Sequence, residues 1–422
     1  MMPEFVRPLA DADRSGVDSE ELTRELVGRA RALRERLRDD QAAAEERGAT
    51  SAEMNDEFLR GGFYHILHPR RYGGLELPLE SFFRVSIEIS RGDPGVGWMY
   101  TLGAGHVLNV ASRLEEPGQE AVLAGGSPFI APFRSAQTGV GRRVPGGYAL
   151  SGRWDYLSGI PFATHAILAF RPDDLAGDPE SVLMGIVERE RITVLDNWGG
   201  GQTLGMQASG SNSATAENAF VPEHLVFRFD RPAEVLPAHG SPGYRLHGDP
   251  MYLGRELGFF WAELAATQVG AAFAALDEFE RLMTAKRSAF PPGEWGGRPR
   301  LDTPEYHLWY GRIRARAESA RTLLLGAIRD LEESAREWAR TGEGYTLEKD
   351  VSVRAQTIVA ARVAGDAVDI AFRGAGSQVV ARGQKLQKYK RDVDTYTTHM
   401  NAQADSIDAS ASRLHFGGQL TW

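Results

Sequence analysis

The chain has 422 residues, 42% of them hydrophobic and 25% charged, a composition that supports a large buried core spread over two or three domains. Its 48 Lys and Arg against 57 Asp and Glu leave a net charge of -9, which argues against the concentrated basic surface of generic nucleic-acid binding. There is no cysteine, so disulfides, thiolate catalysis, iron–sulfur clusters and thiolate zinc sites are excluded together.

The first residues, MMPEFVRPLADADRSG, lack a basic cluster and an apolar run, so no signal peptide is expected. A helix is predicted over 18–47: Asp18 and Ser19 can cap it, and Leu22, Leu26, Ala30, Leu33 and Leu37 recur at helical spacing. Helical pattern resumes over 51–68 and 78–92, broken between them by Pro69 to Gly74, and returns after Gly92–Gly97 towards Leu123. From 128 to about 228 the texture changes to short runs such as YALSGRW, HAILAF and SVLMGIV, separated by turn signals, the pattern of an antiparallel sheet or barrel. Beyond a Pro-, Gly- and His-rich linker at 231–249, helices are predicted over 254–286, 303–338, 347–372 and 379–413. The most apolar window, Leu257 to Leu276, is interrupted by Glu263 and Gln268 and reads as a buried bundle helix, not a membrane span. The order α, then β, then α divides the chain into an N-terminal helical domain (1–124), a central β domain (125–232) and a C-terminal helical bundle (233–422).

The common nucleotide, metal and hydrolase motifs are missing: no GxGxxG, GxxxxGK, HExxH or GxSxG occurs. Asp11 to Gly16 has half the pattern of a calcium loop but carries Leu22 at the twelfth position, and His65/His68 lack an evident third ligand, so no metal is expected.

Five segments in order carry a resemblance. They are FLRGGFYHILHPRRYGGLELP, GGYALSGRWDYLSGIPFATHAILAF, GMQASGSNSATAENAFVPEHLV, KRSAF (Lys286 to Phe290) and FRGAGSQVVARGQKLQKYKRDVDTYTTH. Together with the α–β–α order they resemble the acyl-CoA dehydrogenase fold over roughly 20–417. More closely they resemble its oxygenase branch, the two-component flavin-dependent monooxygenases that hydroxylate aromatics or N-oxygenate amino sugars. The resemblance implies an α+β fold with an N-terminal helical domain, a central antiparallel β-barrel or sandwich and a C-terminal four-helix bundle. It also implies a cytoplasmic homotetramer. Dehydrogenases of this fold commonly keep a catalytic Glu shortly after the Arg-Asp pair; here Arg391-Asp392 is followed by His399 and Met400, so proton abstraction there lacks its base.

The function implied is an oxygenase component that takes reduced FAD or FMN from a separate flavin reductase and uses dioxygen, through a C4a-hydroperoxyflavin, on a small-molecule substrate. The alternatives are an acyl-CoA dehydrogenase-like oxidoreductase with bound FAD and a catalytically silent binding subunit. By the same resemblance Ser158 accepts a hydrogen bond near flavin N5, His399 is the proton source, and His106 is a base facing substrate. Cofactor contacts are expected from Ser135, Thr138, Trp154, Tyr156 and Ser158, with Arg287 on a phosphate and Gly374 and Gly376 allowing close backbone approach. The stretch after His399, MNAQADSIDASASRLHFGG, lacks the Asn-Pro element frequent in aromatic hydroxylases, which favours the N-oxygenation alternative over a simple phenol. Trp98, Tyr100, Phe259, Phe260, Trp261, Trp295 and Trp309 are candidates to line a pocket for a planar or polycyclic substrate.

Overall fold

The computed structural model describes residues 18–175, 182–228, 239–254, 256–288, 297–343 and 345–419. The loop at Asp11 to Gly16, Phe290 and Trp295 lie outside the described residues. Seven helices come first: α1 (Ser19–Ala32), α2 (Arg34–Arg47), α3 (Ala52–Gly61), α4 (Leu79–Gly92), α5 (Pro94–Gly105), α6 (Val107–Arg113) and α7 (Glu116–Leu123). The cap predicted for α1 forms, with the Asp18 carboxylate accepting from the Glu20 N–H. The start of α5 is fixed in the same way: Asp93 accepts from the N–H groups of Gly95 and Val96, and Pro94 occupies the first turn, where no amide donor is needed.

Seven strands follow among the described residues: β1 (Phe133–Val144), β2 (Gly147–Trp154), β3 (His165–Pro172), β4 (Leu183–Glu188), β5 (Thr193–Val194), β6 (Ala214–Pro222) and β7 (Val226–Arg228). They form one sheet in the order β5-β6-β2-β1-β3-β4-β7. Most pairs are antiparallel, but β1 and β3 run parallel, an arrangement that alternating polarity within strands cannot reveal. The β1–β3 register breaks between Arg134 and Gly139, so residues 135–138 bulge out of the ladder.

The helices described beyond the sheet are α8 (Pro242–His247), α9 (Leu257–Ala285), α10 (Pro304–Thr341), α11 (Leu347–Gly374), α12 (Lys385–Thr397) and α13 (Ala404–His415). Helices α9, α10 and α11 pack on one another, α12 lies against α9 and α11, and α13 rests on α11. The apolar window of α9 is 94% buried inside the chain, as the core helix of a bundle requires. Helices α4, α5 and α9 meet at Ser90. A side chain added at Gly97 would lie 2.0 Å from its Oγ, and one added at Gly270 would lie 2.2 Å from its Cβ. These two glycines let α5 press into the angle between α4 and α9, and α5 carries the residues on which the site is built.

The single helix expected over 379–413 is broken. It ends at Thr397, His399 takes up extended dihedrals (φ -72°, ψ 146°), and α13 begins at Ala404. Two consecutive β-branched threonines precede the break, and the His399 ring caps the next turn by accepting from the Asn401 N–H.

Candidate active site

Ser158 follows β2 and is buried. Its Oγ accepts a hydrogen bond from Trp98 Nε1 (3.0 Å) and pairs with Ser211 Oγ (2.7 Å), which in turn pairs with Ser209 Oγ (2.6 Å). The segment is pinned from its backbone as well: Leu157 N–H donates to Asn212 O and Gly159 N–H to Ser209 O. Gly159 has φ +86°, and any Cβ there would lie 3.0 Å from Met99 O, so the turn demands glycine and lets α5 approach.

His399 reaches the other side of the same tryptophan. Its ring lies 5.7 Å from the Trp98 ring at 74°, an edge-to-face contact, with Tyr396 beyond at 6.5 Å from Trp98. Because its Nδ1 accepts from the Asn401 amide, the neutral imidazole carries its proton on Nε2. Burial, reinforced by the Arg134 guanidinium, pushes the His399 pKa down to about 4, so the ring is neutral near pH 7. Thus Trp98 on α5 joins a strand-end serine to a helix-end histidine that sequence order keeps far apart.

Tyr156 lies one turn of chain before Ser158. It sits in the left-handed region (φ 63°), strained for so bulky a residue, and its ring is 61% exposed. The ring stands edge-on to Trp198 at 6.0 Å, with the Arg134 guanidinium 5.7 Å over it. Arg134 is a member of this site that sequence reasoning missed. Its buried Nε has no hydrogen-bond partner, a donor available to a ligand. Ser135, half-buried, and Thr138, exposed, lie on the adjoining bulge of β1.

Trp154 is placed differently. It is fully buried, its Nε1–H donates to Ala169 O (2.8 Å), and its ring fills the space over Gly139, where a Cβ would lie 2.3 Å from Cζ2. It is a core side chain and no cofactor contact; the strand pattern identified two faces without telling which was covered. Gly374 is also a packing residue: a Cβ there would press on the Trp309 ring at 3.0 Å. Gly376, exposed at φ +93°, lies near Arg300, which donates to Ala375 O. Arg287 is exposed, donates through Nε to Gly297 O (2.5 Å), and bridges to Pro299. Lys286 donates to Gln378, so Arg287 and Gly376 belong to one edge of the bundle. Among the described residues no direct contact ties that edge to Ser158 or His399.

Two buried polar clusters flank Trp98 on α5. At the N-terminal end, Lys388 Nζ contacts Asp93 Oδ1 (2.8 Å) and Asp392 Oδ2 (2.7 Å), and Asp392 Oδ1 accepts from Met206 N–H (2.6 Å). Its neighbour Arg391 contacts both oxygens of Glu45 (2.9 and 3.0 Å). The Arg-Asp pair therefore staples α12 to α2 and the loop before β6, and Lys388 ties it to the start of α5. At the C-terminal end, His106 Nδ1 lies 2.8 Å from Ala131 O, and its Nε2 lies 3.6 Å from Glu263 Oε2 on α9. Phe133 and Phe260 enclose the imidazole at 5.5 and 5.7 Å. Both imidazole nitrogens face protein groups, Nδ1 within hydrogen-bond distance and Nε2 beyond it. Glu263 is completely buried, and its carboxylate fills the space a side chain at Gly105 would take, with Oε1 1.9 Å from such a Cβ. Of the aromatic pocket candidates, Tyr100 and Phe259 are core, whereas Trp98 and Phe260 border these clusters.

Residues 262–404 match the acyl-CoA dehydrogenase C-terminal domain. The chain superimposes on XiaF from Streptomyces, solved in complex with FADH2 and glycerol, with a TM-score of 0.82 at 23% identity, covering 96% of this chain and 98% of that one. It is 27% identical to a pigment production hydroxylase from a Rhodococcus species over 395 residues, 92% of this chain and 96% of that protein. The chain has the acyl-CoA dehydrogenase fold. A further relative is the flavin-dependent monooxygenase oxygenase subunit HsaA of Rhodococcus jostii, 25% identical over 80% of this chain and 84% of its own length.

Proposed function

We propose that the chain is the oxygenase component of a two-component monooxygenase that receives reduced FAD or FMN from a separate flavin reductase and transfers one oxygen atom of O2 to a small molecule. The substrate is an aromatic or polycyclic compound that is hydroxylated, or an amine that is N-oxygenated. The observation that carries the reading is Trp98, which hydrogen-bonds Ser158 and packs on His399. Bound reduced flavin supplies the electrons that activate dioxygen. The unpartnered Nε of Arg134, the exposed and strained Tyr156, and Ser135 and Thr138 on the β1 bulge fit a planar, hydrogen-bonding group of that kind.

The chain's own residues then have distinct tasks. Ser158 accepts from Trp98 and shares a proton with Ser211, so its hydroxyl is oriented before any ligand arrives. His399 is neutral with its hydrogen at Nε2, so it offers a ligand that N–H as a hydrogen-bond donor. Burial of Trp98, Tyr396 and Ser158 keeps water from this wall. Arg287 and Gly376, remote from this wall within one chain, are assigned to the phosphate end of a flavin held by a neighbouring copy, which makes the enzyme a homotetramer. We place it in the cytoplasm.

The test is anaerobic titration with reduced FAD and FMN, followed by aeration in the presence of aromatic and amine substrates. The expected product gains one oxygen atom. Ser158→Ala and His399→Ala bind reduced flavin yet release more hydrogen peroxide for each product formed. A chain that instead holds oxidised FAD and is bleached by an acyl-CoA is a dehydrogenase.

A further inference from the structure

Arg134 is a cation without a counter-ion. A guanidinium keeps its charge in a protein, and one withdrawn from water is ordinarily paired. Arg134 is half-buried, yet among the described residues it makes no ion pair, and its buried Nε has no hydrogen-bond partner. Asp155, a carboxylate within electrostatic reach, is engaged elsewhere: its Oδ1 accepts from Arg153 Nε (2.8 Å) and Ser213 Oγ (2.6 Å).

The strand sets this guanidinium in place. Phe133, the residue before it, packs on Phe260 at 5.3 Å and on His106 at 5.5 Å. Alternation along β1 turns Arg134 to the opposite face, where the guanidinium stands 5.7 Å over the exposed Tyr156 ring. The ladder with β3 breaks directly after Arg134, so the neighbouring bulge does not cover it. Its charge also reaches His399, whose pKa it helps to lower, so it belongs to the wall built on Trp98.

The donor pattern specifies the ligand. Nε together with one Nη offers two parallel N–H groups, which match two adjacent acceptor atoms that share one negative charge. A carboxylate has that form, as does the N1–C2–O2 edge of anionic reduced flavin; a phenolate, with a single oxygen, does not. The Tyr156 ring adds a flat apolar surface beside the charge. We propose that Arg134, with Tyr156, is an anion seat that selects a planar aromatic ligand bearing a carboxylate-like edge. The inference rests on the monooxygenase reading and narrows it. Two sources carry this chemistry, an aromatic acid as substrate and the pyrimidine edge of the flavin. No bond is made or broken at Arg134, which acts by affinity and orientation.

Binding to the full chain tests the seat, with benzoate and its neutral analogue benzamide as probes in the absence of flavin, and anaerobic titration with reduced FAD and FMN as the second arm. Arg134→Met is expected to weaken benzoate or reduced flavin about tenfold or more and to leave benzamide unchanged, and Arg134→Lys to recover part of the loss. A loss for benzoate assigns the seat to the substrate, and a loss for reduced flavin assigns it to the cofactor. Arg134→Gln, closer in shape, repeats the comparison should the Met variant unfold. Affinities for benzoate and both reduced flavins that are the same in wild type and variants overturn the proposal. So does a loss that extends equally to benzamide. Charge-selective binding at Arg134 with no aromatic acid, phenol or amine oxygenated upholds the seat and rejects the monooxygenase reading instead.

Discussion

The two ends of α5 bury charge in opposite ways. Before its first turn, Asp93 and Asp392 share the Lys388 ammonium, so each ion has a partner of opposite sign, and only Asp93 Oδ2 is left without a hydrogen bond. After its last turn, Glu263 faces one imidazole at 3.6 Å and both of its oxygens lack hydrogen bonds. The first cluster also ties down the Met206 amide and joins α12 to α5, so it fixes architecture. The second adds one hydrogen bond to the fold, from His106 to Ala131 O. A buried charge that is fully partnered serves the fold, whereas one left short of partners is available for chemistry.

The largest expected effect breaks the first cluster. Lys388→Met leaves two carboxylates buried without a cation and should cost about 3–5 kcal/mol, read as a lowered denaturation midpoint. The contrasting change is Glu263→Leu. It replaces a poorly partnered carboxyl with an apolar group and should leave stability unchanged or raise it by about 1–4 kcal/mol. A large destabilisation there would abolish the distinction between the two ends.

pH sharpens the comparison. The Glu263 carboxyl, raised to about 7 by burial, binds its proton more tightly in the folded chain than in the unfolded one, where the ordinary value is 4.5. Stability therefore falls as pH rises from about 4.5 to 7, by at most about 1.4 kcal/mol per unit, and Glu263→Gln removes that fall. His68 and His399, pushed down to about 4 chiefly by burial, act with the opposite sign: the unfolded chain takes up their protons first, so stability is lost as pH falls from about 6.5 to 4. Subtracting the Glu263→Gln curve from the wild-type curve isolates the α5 end. The smallest effect lies between the clusters. Trp98→Phe keeps the ring against His399 and loses the hydrogen bond to Ser158, costing about 1 kcal/mol in denaturant unfolding.

Much of this was legible in the residues. The long helices show in their apolar periodicity, and Ser158 and His399 stand out through the segments that resemble the oxygenase branch. What binds them together does not show, because the Trp98 indole lies on another element and reaches both only after α5 docks beside Gly159. Period-2 alternation in β2 could not say that the Trp154 face is the covered one. Nor could it reveal that Tyr156 would turn outward at positive φ. Glu263 appeared only as an interruption of an apolar run. Its significance depends on His106, contributed by a different helix, and on the missing side chain between them.

That missing side chain gives position 105 an unusual leverage. The Glu263 carboxylate occupies a berth shaped by a hydrogen atom, so Gly105→Ala would evict a charge from the adjacent helix without altering any ionisable group. The setting of a buried carboxyl is thus governed by steric size at a residue with no acid–base chemistry of its own. A collection of variants screened only at its titratable positions would pass over that control point.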